Sequence, residues 1–258
     1  MPVTEFALFT LREAYDAVEL LETVMECQEI QDEWVRAHHP DRCAKRASIS
    51  RLYADTTTHP AAHRVAITAP WPSPEAHHQW IDTPANKGVM ARFAAFLPGG
   101  RVPDHHHHQH QQDVTVDSAA QAPSSSTGAA ADDNDNETSP HRESGFLFFH
   151  MHAADPDRRP VLHEAFLPKE KLLVTRLAAR GPAAREQLQA RYRELQDALV
   201  AETPRDRIWA GWRIEKEADD REELVVFRTP DVPAVRLAPL ERHAKLLDAE
   251  LRIAEIAP

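Results

Sequence analysis

Apolar residues fall on both faces of the segment TEFALFTLR at residues 4 to 12, with Phe6 and Leu8 on one side and Ala7, Phe9 and Leu11 on the other. Successive side chains of a strand point to opposite sides, so this pattern predicts a strand buried on both faces. Leu20, Val24, Cys27, Ile30 and Trp34 then recur at near-helical spacing and predict an amphipathic helix. Residues 49–55 and 63–69 read as the two strands of a hairpin. Ser73 followed by Pro74 opens a short helix over 73–82, because a proline in the first turn forfeits no hydrogen bond. Thr83-Pro84 ends that helix and starts another through Met90, Phe93 and Leu97. The run GFLFFHMHA at 145–153 completes the set as a strand.

The second half repeats this order. KLLVTRLA at 171–178 predicts a strand, and Gly181-Pro182 opens a helix with Leu188, Tyr192, Leu195 and Leu199 on one stripe. Residues 207–216 and 222–229 predict a second hairpin, and Leu240, Ala244, Leu247 and Leu251 a further helix, with RIAEIA as the remaining candidate for a last strand. Trp209 and Trp212 fall on opposite faces of their strand, one for the core and the other beside a second cleft. VAITAPWPSP at 65–74 is echoed by VVFRTPDVP at 225–233. An α+β fold of two tandem ferredoxin-like β-α-β-β-α-β units follows. The expected division is a first half over 1–100 plus the strand 144–153, an insertion over 101–143, and a second half over 168–258.

Composition bears mainly on partners. The 258 residues carry a formal charge of -11 with 16 His, which disfavours nucleic acid and anionic membrane surfaces. Eight acidic residues and one Arg between 104 and 143 account for -7 of that charge, and six His lie in the same stretch. Its His, Ala, Ser and Asp runs read as a disordered insertion. The poly-His tract from His105 would bind a divalent metal only loosely, and low complexity is its plain reading. Seven Gly include no Gly-x-Gly-x-x-Gly and no Gly-x-x-x-x-Gly-Lys, which argues against nucleotide cradles. Two Cys give no disulfide framework, and the start MPVTEFALFTLREAYD has no secretory pattern, so a cytoplasmic protein is expected.

Two clusters carry candidate chemistry. His150 and His152 share one strand face with Phe146 and Phe148, while Leu147, Phe149 and Met151 make the other face purely apolar. The apolar face is expected to pack on helices and the mixed face to line a cleft or barrel. His150 or His152 would serve as general base. The competing reading is a pair of satisfied strand histidines, and a metal pair with His163 or Glu164 is a third. The second cluster is Trp71, His77, His78, Trp80 and Asn86. His77 and His78 read as a solvated helix face, and Trp80 equally as core.

The strand TEFALFTLR, the passage ITAPWPSPEAHHQWI, the Trp80-x-x-Thr83-Pro84 break and the strand FLFFHMH together resemble the dimeric α/β-barrel superfamily, in its antibiotic biosynthesis monooxygenase branch. The resemblance covers nearly everything outside the insertion. It implies that the two units pair their sheets into a barrel, here within one chain, with a homodimer as a further assembly. It implies a small aromatic or polyketide-like ligand, oxidised or cyclised without a cofactor, with Trp80, Asn86, Trp71 and Phe148 as binding residues. A non-catalytic or stress-responsive barrel is the alternative, and a heme or metal barrel a third. Related cyclases carry His-Pro-x-His where this chain reads Thr83-Pro84-Ala85-Asn86, so both histidines are replaced, and Asn86 would instead hold an oxyanion. Heme-binding relatives use a His on the second helix, for which His78 is the counterpart, but their first-strand Asn is missing here.

Overall fold

The structure is a computed structural model and describes residues 1–40, 50–57, 63–100, 146–203 and 205–256. The insertion expected over 101–143 lies outside the described residues. In chain order the elements are β1 (Val3–Thr10), α1 (Ala17–His38), β2 (Arg51–Asp55), β3 (Arg64–Trp71), α2 (Pro74–Ile81), α3 (Pro84–Phe93), β4 (Phe146–Ala153), α4 (Leu162–Ala165), β5 (Lys171–Arg180), α5 (Gly181–Glu202), β6 (Ile208–Arg213), β7 (Arg221–Arg228), α6 (Ala238–Glu241), β8 (Lys245–Leu246) and β9 (Leu251–Glu255).

Every strand pairing is antiparallel. The first set runs β4-β1-β3-β2 and the second β9-β5-β7-β6, the ferredoxin-like order twice over. β2 joins β9 with Ala54 opposite Ala254, and β4 joins β6 with His152 opposite Trp212. These two seams close an eight-stranded barrel that leaves no open edge between the units.

Strand alternation divides the side chains between lumen and outer layer. Phe6, Phe149, Met151, Trp209 and Phe227 meet in the lumen, where the Phe6 ring centroid is 5.5 Å from Phe149 and 5.8 Å from Phe227. Leu162 and Phe166, from the short α4 and the residue after it, add to this cluster. Arg176 and Arg213 lie over the Phe149 ring at 5.7 and 4.8 Å and both bond Glu223, which compensates their charge. On the outside, Ala7, Phe9 and Val65 pack against Leu20 and Val24 of α1 and Phe93 of α3. Around the second unit, Leu188, Tyr192, Leu195 and Leu199 of α5 fill the space over Ala210, Trp212, Leu224 and Val226.

Two expectations are corrected. The apolar face of β4, Phe149 with Met151, enters the barrel lumen rather than packing on helices. A strand in a closed barrel has a fully enclosed inner side, and that is where its driest face goes. The helix read over Leu240 to Leu251 is only the single turn α6; Leu246 is exposed and Leu247 donates its N–H to Arg176 O at 3.0 Å. Leu251 and Ile253 instead alternate into the lumen on β9, because the barrel needs a strand between β2 and β5 to close. The last strand expected at RIAEIA is thus in place. Trp209 and Trp212 do occupy opposite faces: Trp209 lies in the lumen, and Trp212 lies under α5, where it bonds Gln189 at 2.6 Å and stacks with Arg185 at 4.6 Å.

Candidate functional site

The outer face of the first unit positions the site. β1 carries Val3, Glu5, Ala7 and Phe9 on that face, and Glu5 sits directly opposite His150 of β4 in the antiparallel register. Cross-strand partners on one face lie close enough to interact. Above them runs α2, whose N-cap Ser73 accepts from Ala76 N at 3.3 Å and whose Pro74 needs no donor. The helix turns His77 and Trp80, at i and i+3, down onto the sheet. His77 is 4% exposed, which corrects its reading as part of a solvated face.

A chain of polar contacts follows. Trp71 at the end of β3 donates its indole N–H to Glu5 Oε2 at 2.8 Å and stacks on the His77 ring with centroids 4.3 Å apart. His77 Nε2 lies 3.5 Å from Glu5 Oε2, and His77 Nδ1 lies 2.8 Å from His150 Nε2. His150 Nδ1 lies 2.5 Å from Glu215 Oε1, and the His150 backbone N–H donates to Glu215 Oε2 at 2.8 Å. That N–H is available because the β4–β6 ladder ends at Met151 opposite Arg213. Glu5 and His150 are buried, whereas the Glu215 side chain retains 34% exposure.

Glu5 also forms part of the wall of a pocket between the sheet and helices α1 to α3. The pocket holds a cavity of about 80 Å³ and opens to solvent. Its walls are mostly apolar: Phe146 and Phe148 from β4, Trp80 from α2, Phe93 and Met90 from α3, and Val24 from α1. Polar atoms come from Glu5, His77, Gln31 and Asn86. Asn86 donates one amide hydrogen to Ile81 O at 3.0 Å and has a second to offer a ligand.

Electrostatics distinguish the two carboxyls. Burial pushes Glu5 up to about 7, against the opposing pull of the Trp71 N–H and the charge of His150. For Glu215 burial also acts upward, but the hydrogen bonds and charge from His150 outweigh it and hold the carboxyl below its ordinary value. The Cys27 thiol on the pocket wall is pushed up to about 12, chiefly by burial. A carboxyl that ionises near neutrality beside an aromatic pocket has the properties of a general base.

Of the residues singled out from the sequence, Trp80, Asn86 and Phe148 line the pocket, and Trp71 reaches it through Glu5. His150 stands one residue behind the wall, bonded to His77. His152 lies apart, opposite Trp212, with its Nδ1 buried and unbonded and its basicity lowered first by burial and then by the N-terminal amine and Arg185. His163 bonds Thr68 at 2.8 Å and does not join His150. Glu5 and Glu215 were not singled out. The signal for Glu5 was a lone carboxylate on a strand otherwise buried on both faces.

Among the described residues, no three His, Cys, Asp or Glu side chains come together to hold a metal. The heme that the resemblance brings in does not fit the imidazoles at the pocket. His78 is not part of its wall, and both ring nitrogens of His77 face protein groups. Among the described residues no helix is long and apolar enough to cross a membrane.

No family model matches the chain, and no curated protein matches it in sequence. Among solved structures, a provisionally assigned chlorite dismutase superposes with a TM-score of 0.50 at 13% identity, over 100% of this chain and 96% of that one. A provisionally assigned monooxygenase from Lactobacillus acidophilus gives 0.47 at 5% identity over 99% and 93%, and an anthrone oxidase-like protein 0.47 at 10% over 99% and 92%. The chain therefore has the dimeric α/β-barrel fold, with both halves of the barrel on one polypeptide.

Proposed function

We propose that the pocket of the first unit binds a small aromatic molecule with an acidic O–H or C–H, of the phenol or anthrone type, and that Glu5 removes this proton. The observation that carries the reading is the Glu5 carboxyl, held near neutrality by burial, at the wall of a pocket lined by Trp80, Phe93, Phe146 and Phe148. Aromatic walls recognise a flat apolar ring, and one basic group among them selects the acidic hydrogen. Asn86 is the donor on hand for the oxyanion that forms.

The conjugate base of such a substrate is electron-rich, and dioxygen is the oxidant that would accept its electrons. The protein then contributes proton removal, orientation of the ring and exclusion of water. This assigns the base role to Glu5 rather than to the strand histidines, with Trp80, Asn86 and Phe148 as binding residues and Trp71 as the group that orients Glu5.

The test is oxygen consumption and product formation with a panel of anthrones and naphthols, for the wild type and Glu5→Gln. Turnover by the wild type that falls on the order of a hundredfold or more in the variant supports the reading, given the usual weight of a general base. Saturable binding of the same compounds with no turnover would replace it with a non-catalytic binding protein.

A further inference from the structure

We propose that a proton taken up by Glu5 leaves the protein through His77 and His150 to Glu215, which makes Glu215, contributed by the second unit, the proton port of the first unit's pocket. The inference rests on the general-base reading of Glu5 for its catalytic consequence, though not for its geometry.

A base must shed the proton it takes before it can act again. The outer layer of the first unit is packed against Glu5, which is 7% exposed and bonded to Trp71. The contacts that lead away from it run Glu5, His77, His150, Glu215, with separations of 3.5, 2.8 and 2.5 Å. The last member has 34% of its side chain exposed. Each imidazole has two nitrogens, so it can accept a proton on one side and release another on the other.

With Glu215 ionised, His150 holds its Nδ1 proton toward that carboxylate. His150 Nε2 then accepts from His77 Nδ1–H, and His77 Nε2 is the bare nitrogen turned to Glu5. When Glu5 carries the substrate's proton, it passes this proton to His77 Nε2, and His77 passes its Nδ1 proton to His150 Nε2. His150 is now an imidazolium against the Glu215 carboxylate, and its Nδ1 proton leaves by way of that carboxylate to water. Both rings end with their proton on Nε2, and they regain their starting tautomers when a proton runs the same path inward, from Glu215 through His150 and His77 to Glu5, to protonate the oxygenated product anion. No electron moves in any step.

Among the described residues, the other titratable groups whose charge bears on the wire are His78 and Glu75 of α2 and His152 of β4. His78 meets His150 edge-on at 5.7 Å between ring centroids, and its own basicity is lowered first by burial and then by the charge of His150. Glu215 is fixed in place by the backbone N–H of His150, and Ile214 N donates to His150 O at 2.9 Å. Glu215 is therefore a positioning and relay residue, and not a group that touches substrate.

The test has an arm that needs no turnover. In full-length protein with ¹⁵N-labelled imidazoles and ¹³C-labelled Glu, NMR should show His77 moving its proton from Nδ1 to Nε2 as the Glu5 carboxyl ionises. In Glu215→Gln the coupling should vanish. The second arm is kinetic: Glu215→Gln should lower kcat about tenfold or more at low buffer concentration with KM unchanged, and added imidazole should restore it. A His77 that keeps one tautomer throughout the Glu5 titration would overturn the relay. So would a Glu215→Gln enzyme as fast as wild type at every buffer concentration. If the wild type turns over none of the aromatic panel, the function is wrong and the NMR arm alone decides the relay.

Discussion

Glu5 and His150 are cross-strand partners on β1 and β4, 145 positions apart in the chain, and share the outward face of the sheet. His77 of α2 closes the third side of the pair, with one ring nitrogen toward each. A strand pairing, a helix start and a sheet seam must all be in place before these groups meet.

The raised Glu5 carboxyl carries a stability cost. In the unfolded chain it ionises near 4.5, and in the fold it keeps its proton until about 7. Between those values the folded state binds the extra proton, so stability from this group is greatest below about pH 4.5, declines as pH rises, and levels off above about 7. The full decline is about 3 kcal/mol, at roughly 1.4 kcal/mol per pKa unit. Glu5→Gln keeps an acceptor for the Trp71 N–H and cannot ionise. Urea unfolding at pH 5 and pH 8 should therefore show the variant losing less stability than wild type over that interval. Equal losses would mean that Glu5 does not titrate as an isolated buried acid.

Catalysis should follow the opposite course. If Glu5 must be ionised to act, kcat/KM on a phenolic substrate rises with pH up to about 7 and is flat above it, because that ratio reports the free enzyme's base. The pH–rate profile is the measurement. A rate that falls as pH rises through 7 would assign Glu5 the role of an acid instead.

The sequence made the fold more legible than the site. Helical spacing placed α1 and α5, apolar runs and turns placed β1 to β7, and the Ser73-Pro74 and Thr83-Pro84 starts placed α2 and α3. The C-terminal stretch failed the same test, since Leu240, Ala244, Leu247 and Leu251 mimic a helix while closure of the barrel requires Leu251 and Ile253 on a strand. Trp80, Asn86 and Phe148, which the resemblance implies as binding residues, line the pocket. Glu5 was passed over because a single acid among apolar residues has no motif. Glu215 was passed over because nothing local marks it: it gains meaning only when the β4–β6 seam sets it against His150.

Cys27 offers a probe of the pocket. Its thiol lines the wall and is pushed up to about 12, mainly by burial, so little thiolate exists at neutral pH to react. Iodoacetamide labelling of the Cys27 peptide, followed by mass spectrometry at pH 8, should be far slower in the native protein than in urea. A bound naphthol should slow it further. Native labelling at the rate of a free thiol would place Cys27 outside an enclosed wall.

Gly211 tests the seam on which Glu215 depends. It lies on β6 opposite Ala153 of β4, and a Cβ there would come 2.7 Å from Met151 Cβ and 2.7 Å from the far edge of the Trp209 ring. The Trp209 edge belongs to a side chain that can move, but Met151 Cβ is fixed to its strand. Gly211→Ala should therefore cost about 1–3 kcal/mol, the range for overpacking a filled core. Trimming the ring with Trp209→Phe in the same chain should recover only part of that loss, because the contact with Met151 remains. Strain at this point pushes β4 and β6 apart, and the first contact to lengthen is the one between His150 and Glu215. Denaturant midpoints of the single and double variants measure the packing cost, and the ¹⁵N shift of His150 Nδ1 reports the contact. A Gly211→Ala protein with wild-type stability and an unchanged His150 signal would mean that the lumen has slack at this position.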